Sequence, residues 1–167
     1  MGRTGVFRPR ERIELLDGEI ITMAAIGDDH LLAVNDLNMW FAPRLAGRAI
    51  VSVQNSIRLD NRSEPQPDLA ILRLESALVR RHPRPEDVLL LIEVSDKTLR
   101  VDLERKTPRF AAAGIPEAWV FNLRHKQVHV FRAPREGVYT ETEIVRSGTI
   151  TPQAFPDLAR PFAAIFR

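Results

Sequence analysis

Residues 88–92 form an uninterrupted apolar run, and a single carboxylate, Glu93, follows it directly. A run without a polar face is typical of a central strand that is covered on both sides of its sheet. An unpaired ionised carboxylate is costly to bury, so Glu93 needs a cation, a proton, or a position that water or a metal ion can reach. The pattern therefore predicts a central strand with an acid of special role near its end.

The longer of two predicted helices begins at Asp28 or Asp29, either of which can serve as its N-cap. After them, apolar residues recur at helical spacing at Leu31, Val34, Leu37, Phe41 and Leu45. The pattern ends near Pro43 and Gly47, where a helix is expected to stop. This spacing predicts an amphipathic helix that packs on the sheet.

A second helix is predicted over residues 103–113, followed by Gly114 as a typical C-terminal glycine. Asp102 and Lys106 stand four residues apart near its start, which places their side chains on one helical face. Pro108 lacks a backbone N–H and disfavours helical geometry at the residue before it. A kink or a late helix start is therefore expected close to Lys106.

Strands are predicted on both sides of the central one. A turn at Asp17 and Gly18 leads into a strand that includes Glu19. Further strands are predicted at residues 49–53, 56–59, 69–72, 118–122, 127–132 and 137–145, the last three forming an antiparallel meander. The apolar residues between 152 and 167 should close the core. These elements together predict an α/β fold with a mixed β-sheet flanked by helices.

A second acid, Asp68, follows Pro67 at the start of a short apolar strand. If that strand pairs antiparallel with the strand before Glu93, the start of one lies beside the end of the other. Asp68 and Glu93 would then meet at one edge of the sheet, within reach of one ion. Because Mg²⁺ prefers oxygen ligands and usually takes one or two carboxylates, the pair suits this cation.

Each of these residues also has an ordinary explanation. Asp68 after a proline can simply cap a turn, and Lys106 can be a surface lysine paired with Asp102. His30 at a helix start is more often a cap or a packing residue than a functional group. The case for a site depends on the combination of these residues.

Four segments in a fixed order carry a resemblance to a known family. They are Pro67-Asp68, Glu93-Val94-Ser95, residues 102–106 and residues 113–120. The set resembles the PD-(D/E)XK nuclease superfamily and, more narrowly, the bacterial Uma-type restriction endonuclease family, with likeness from residues 15–20 to residues 165–166. Two acids and a lysine occur together by chance, whereas the ordered set of segments is much more specific.

The resemblance implies a single restriction-endonuclease-like domain over residues 1–167, with the C-terminal strands as an antiparallel meander. It also implies an Mg²⁺-dependent endodeoxyribonuclease, in which Mn²⁺ can substitute for Mg²⁺. Asp68, Glu93 and the Val94 carbonyl would be the metal ligands, and Lys106 would act on the attacking water. The supporting residues would be Glu19, His30 and Asp102.

The sequence departs from the superfamily at the lysine. The usual pattern places lysine two residues after the glutamate, where Ser95 stands here. In the family that the chain resembles, the lysine is found on the following helix, at a position that Lys106 matches. Two other functions stay open, the first because of Ser95, Pro108 and the modest net charge, and the second because two carboxylates do not specify the substrate. One is a catalytically degenerate protein that binds nucleic acid or protein, and the other is a metal-dependent hydrolase with another substrate.

Composition adds few constraints. A chain of 167 residues that is 44% hydrophobic fits one domain with a real core, in which residues 1–10 are expected to be loosely held. A net charge of +2 neither demands nor excludes DNA as the partner. The absence of cysteine excludes disulfides and thiolate metal sites.

The sequence also leads to expectations about the location and the assembly of the protein. The sequence has no apolar segment of membrane length and no recognisable leader, so a cytoplasmic protein without membrane contact is expected. Exposed edges of the meander suggest a homodimer or a higher homo-oligomer.

Overall fold

The described part of the chain begins with a hairpin of two short strands, β1 (Ile13–Leu16) and β2 (Glu19–Thr22). The structure, a computed structural model, describes residues 13–23, 26–78 and 80–166, so residues 1–10, expected to be loosely held, lie outside this part. Asp17 and Gly18 between the strands have φ values of 58° and 82°. Two successive residues with positive φ are what a tight two-residue hairpin requires, which explains the predicted turn.

Helix α1 (Asp28–Leu45) matches the predicted amphipathic helix. Its buried face consists of Val34, Leu37, Phe41 and Leu45. Two details differ from the prediction. Gly27 is the N-cap, without a side-chain hydrogen bond, and Leu31, in the first turn of the helix, is exposed and not part of the buried face.

The central sheet has six strands in the spatial order β3-β4-β5-β6-β7-β8. They are β3 (Ala49–Val53), β4 (Leu69–Arg73), β5 (Val88–Ser95), β6 (Glu117–Asn122), β7 (Gln127–Arg135) and β8 (Val138–Val145). Neighbours pair antiparallel except β5 and β6, which are parallel. The sheet is therefore mixed, with the last three strands as the predicted meander.

Strand β5 lies inside the sheet and is covered on both faces, as its apolar run predicts. Leu90 and Ile92 pack into the cluster that contains Phe41 of α1, whereas Leu91 packs with Phe110 on the opposite face. Because side chains alternate along a strand, Glu93 projects to the same face as Leu91. Glu93 therefore points towards the second helical segment and away from α1.

That second helical segment is longer and less regular than the predicted helix. It consists of α2 (Leu99–Val101), a π-helical turn (Asp102–Lys106) and α3 (Thr107–Ala112). The expected irregularity near Lys106 is thus a π turn directly before Pro108. Gly114 ends the segment with a φ of 76°, a conformation that glycine adopts without strain.

Residues 56–59 were expected to form a strand, and this prediction is wrong. Gln54 has a φ of 52°, which turns the chain out of β3. The following segment is a loop, in which the Leu59 N–H donates to the Ser63 carbonyl at 3.0 Å and the Arg58 N–H to the Pro83 carbonyl at 2.9 Å. These backbone hydrogen bonds go to other loops and not to a neighbouring strand.

Short elements complete the structure. They are 3₁₀ turns at Leu74–Leu78, Pro85–Asp87 and Phe162–Ala164, and the paired strands β9 (Thr149–Ile150) and β10 (Arg160–Pro161). The tail closes the core as predicted, because Phe155, Leu158 and Phe162 are buried against the α1 side of the sheet. In the described part of the chain, no helix combines the length and apolar character needed to cross a membrane.

Candidate active site

A cavity of about 220 Å³ lies where β5 ends, between β2, the first turn of α1 and the second helical segment. Its charged and polar lining includes Glu14, His30, Asp68, Glu93, Asp102 and Lys106. Its apolar lining includes Ile21, Met23, Ile26 and Val101. The fold thus collects acids from β1, the start of β4, the end of β5 and the π turn in one place.

Lys106 is the centre of this group. Its Nζ atom lies 3.1 Å from Glu14 Oε2, 3.2 Å from Glu93 Oε1 and 3.7 Å from Asp102 Oδ1, and the residue is 4% exposed. Burial lowers the pKa of Lys106, but the carboxylates of Glu93, Glu14 and Asp102 outweigh burial and raise the pKa above its usual value. The ammonium group is therefore charged at neutral pH.

Glu93 has a pKa well above its usual value, mainly because burial penalises the charged carboxylate. The positive charge of Lys106 opposes this shift, whereas Asp102, Asp68 and Glu14 add to it. The sequence suggested that Glu93 needs a cation, a proton, or a position that water or a metal ion can reach. The structure supplies Lys106 as the cation and a cavity beside the carboxylate, while burial, and to a lesser degree the neighbouring acids, raise the pKa of Glu93.

Asp102 is held from two sides. Ser95 Oγ and Thr98 Oγ1 each donate a hydrogen bond of 2.7 Å to Asp102 Oδ2, while Oδ1 faces Lys106. Burial raises the pKa of Asp102, against the effects of Lys106 and the two hydroxyl donors. Ser95, at the usual position of the superfamily lysine, thus contacts the same carboxylate as Lys106.

Asp68 lies at the start of β4, next to the end of β5. Its Oδ2 accepts the Val94 N–H at 2.8 Å and lies 3.0 Å from His30 Nε2, while Oδ1 accepts from Gln54 Nε2 at 3.2 Å. The antiparallel register of Leu69 with Ile92 produces this meeting of strand ends, as predicted. Three polar groups therefore fix the orientation of the carboxylate.

Two site residues were missed by sequence reasoning. Glu14 is 5% exposed, contacts Lys106, and also accepts the Gln66 N–H at 3.2 Å. A signal existed in the alternation of β1, which places Glu14 on the same face as the buried Leu16. No local pattern marked Gln54, because its contact with Asp68 depends on the turn after β3.

Glu19 was expected as a supporting residue, and the structure places it outside the cavity. It is exposed, and its Oε2 accepts from Arg105 at 2.7 Å. Glu19 pairs with Leu16 directly beside the hairpin turn, whereas the lining residue Ile21 pairs with Glu14 further along. The hairpin thus brings Glu14 to the lysine, and leaves Glu19 on the surface.

The donor set fits a hard divalent cation. Asp68 and Glu93 line the same cavity, are buried, and offer oxygen atoms only. Across residues 13–23, 26–78 and 80–166, no group of three or more histidine, aspartate or glutamate side chains has the arrangement of a metal site. Two carboxylates with retained waters are nevertheless the usual protein contribution to an Mg²⁺ site.

The sequence matches, over residues 4–163, the protein family described as Uma2, putative restriction endonuclease. The fold is similar to the crystal structure of a putative nuclease belonging to DUF820 from Anabaena variabilis ATCC 29413. The TM-score is 0.72 at 15% sequence identity, and the match covers 92% of this chain and 89% of that chain. This likeness shows that the two proteins share one arrangement of a mixed sheet and flanking helices.

A second solved structure, the type IIG restriction endonuclease BpuSI, gives a TM-score of 0.43 at 16% identity, over 68% of this chain and 12% of that chain. A search of curated proteins found no match.

Proposed function

The chain belongs to the Uma2 family of putative restriction endonucleases, and from this premise we propose that it is a metal-dependent endonuclease that hydrolyses phosphodiester bonds in DNA. Membership of this family supports chemistry of the nuclease type. We further propose that the enzyme uses a divalent cation, that its substrate is DNA, and that individual residues have the roles given below.

The observation that carries the proposal is the charge balance of the cavity. Glu14, Asp68, Glu93 and Asp102 are each at most 5% exposed. Among the described residues, Lys106 is the one buried lysine or arginine in contact with these acids. Several buried carboxylates around one cation are unfavourable unless protons or a further cation balance them. A site built to bind a divalent cation explains why such an arrangement is retained.

Asp68, Glu93 and the main-chain carbonyl of Val94 would hold Mg²⁺, with Mn²⁺ as a substitute. Such an ion supplies a nucleophilic water at neutral pH and neutralises charge on the phosphoryl oxygens. The chain's own part is to orient the ligands. The Val94 N–H, Gln54 and His30 hold Asp68, which removes the need to reorganise this carboxylate during the reaction.

Lys106 would stabilise the negative charge that develops on the phosphoryl group, and would orient the attacking water by donating a hydrogen bond. Its ammonium group is charged and lies beside Glu93. Asp102, fixed by Ser95 and Thr98, supports the lysine from the helical side. The serine at the usual lysine position is therefore compatible with catalysis, because a lysine reaches the cavity from the helix.

Cleavage of supercoiled circular DNA in the presence of Mg²⁺ or Mn²⁺ tests the proposal. Wild type should nick or linearise the plasmid, and EDTA should abolish the reaction. Lys106→Met should slow cleavage by about 100-fold or more, the usual cost of removing one group that stabilises transition-state charge. Asp68→Asn should remove activity, whereas Glu19→Gln, outside the cavity, should leave it unchanged.

A protein that binds DNA without cutting it under any of these conditions would contradict the proposal. That outcome would favour a nuclease fold that serves as a binding module.

A further inference from the structure

Glu14 has no part in the mechanism described above, although it lies as close to Lys106 as Glu93 does. We propose that Glu14 is a positioning residue, which keeps Lys106 in the cavity when Glu93 turns from the lysine to a divalent cation. The inference rests on the proposed function, because it concerns the same cavity and the same cation.

The fold places Glu14 for such a role. The Leu15 N–H donates to the Glu64 carbonyl at 3.4 Å, and the Glu64 N–H donates to the Leu15 carbonyl at 2.8 Å. These bonds join β1 to the segment that leads into Asp68. The side chain of Glu14 accepts a further bond from the Gln66 N–H at 3.2 Å. Hydrogen bonds therefore hold both the backbone next to residue 14 and the Glu14 carboxylate.

The geometry around the ammonium group indicates a competition. A lysine ammonium has three donors. Lys106 donates a hydrogen bond to Glu93 Oε1 at 3.2 Å and lies 3.1 Å from Glu14 Oε2, whereas Asp102 Oδ1 at 3.7 Å is beyond hydrogen-bond distance. A cation bound through Glu93 would compete with Lys106 for the negative charge of that carboxylate. With Glu14 present, the ammonium keeps its shortest contact during this competition. Without the Glu14 carboxylate, Glu93 would be its nearest acceptor, and the lysine would oppose cation binding.

Two other roles for Glu14 give different results. If Glu14 is itself a ligand of the cation, its removal weakens cation binding whether or not Lys106 is present. If Glu14 only anchors Gln66, replacing it by glutamine keeps an acceptor for the Gln66 N–H and leaves cation binding unchanged. Only the positioning role requires that the effect of Glu14 on the affinity for the cation depends on Lys106.

The experiment is a double-mutant cycle read by calorimetric titration of Mn²⁺. Wild type, Glu14→Gln, Lys106→Met and the combined variant are compared, and circular dichroism checks that each is folded. Glu14→Gln should weaken Mn²⁺ binding by about tenfold, of the order expected for one charge-assisted hydrogen bond. In the Lys106→Met background, the same substitution should change affinity by less than about threefold.

Two further variants sharpen the test. Glu14→Asp keeps the negative charge but withdraws it from Lys106, so it should behave like Glu14→Gln if contact with the lysine matters. Glu19→Gln is the matched control, since it removes one carboxylate from the same hairpin without contact with Lys106, and it should bind Mn²⁺ as wild type does.

An equal loss of affinity in both backgrounds, or no loss in either, would overturn the positioning role while leaving the proposed function intact. Failure of wild type to bind Mn²⁺ would overturn the proposed function and this inference with it. The two failures are therefore distinguishable in one set of titrations.

Discussion

Lys106 and Ser95 lie on opposite sides of one carboxylate. Lys106 Nζ is 3.7 Å from Asp102 Oδ1, and Ser95 Oγ is 2.7 Å from Asp102 Oδ2. Ser95 at the end of β5 and Lys106 on the following helical segment therefore contact the same carboxylate. The two positions are thus adjacent in space, although they lie on different elements.

Replacing Lys106 by methionine tests how strongly the acids depend on it. The substitution removes the one cation that lowers the pKa of both Glu93 and Asp102. We expect the free energy of unfolding at pH 8 to fall by about 3 to 5 kcal/mol, the usual effect of leaving buried charges unpaired.

The decrease in the free energy of unfolding caused by Lys106→Met should be smaller at pH 5.5. An acid whose pKa is raised by folding stabilises the folded state when it is protonated. This stabilisation is lost as the pH rises through the pKa of the acid in the folded state. Urea unfolding at the two pH values measures the effect, with the exposed Lys97→Met as control. An equal loss at both pH values would contradict this account of the acids.

At the residue scale, sequence reasoning predicted most of the cavity and missed part of it. Asp68 and Glu93 were predictable because a carboxylate beside an apolar strand is an anomaly that the pattern itself displays. Glu14 stands in a short alternating strand, where a polar residue is unremarkable unless the inward face is known. Its role depends on how the hairpin lies against the helical segment, which no local pattern records.

At the scale of elements, the second helical segment differs most from the prediction. In its π turn, the Thr107 N–H bonds to the Asp102 carbonyl, and the Thr107 hydroxyl donates to the same carbonyl at 2.7 Å. Pro108 has no N–H to offer, so a regular α-helical ladder is interrupted here in any case. The predicted irregularity follows from proline chemistry, and the structure shows that it takes the form of a π turn over Asp102–Lys106.

Tyr139 joins the meander to the end of α3, and it allows a pH test of that junction. Its hydroxyl donates to the Ile115 carbonyl at 2.9 Å. Burial, and to a lesser degree the charge of Glu117, raise the pKa of Tyr139 above the usual value of about 10. The stabilisation that this shift provides is complete below the unfolded pKa, and is lost as pH rises through the folded value.

Absorbance at 295 nm measures this ionisation directly, since Tyr139 is the only tyrosine in the chain. We expect no ionisation of Tyr139 near pH 10. Tyrosinate should form only at higher pH, at the same pH at which the far-ultraviolet circular dichroism of the folded protein is lost. An ionisation midpoint near 10 with the fold intact would contradict the described environment of the side chain.

At the scale of the whole molecule, the sheet ends in a long strand. Among the described residues, β8 pairs with β7 alone, and seven of its eight residues are at least partly exposed, Val138 and Ile144 among them. Such an edge can pair with another chain. We propose a homodimer or a higher homo-oligomer, so light scattering should give at least about twice the chain mass of 19.0 kDa. A single monomeric species would remove this proposal without affecting the cavity.

The most direct test of the account is calorimetric titration of Mn²⁺ into wild type, Asp68→Asn and Glu93→Gln. Both substitutions keep side-chain shape while removing one charge from the carboxylate pair. The account predicts saturable binding to wild type that is lost in both variants, and unchanged binding in Glu19→Gln. Absence of binding to wild type, with or without added DNA, would contradict a metal-dependent nuclease.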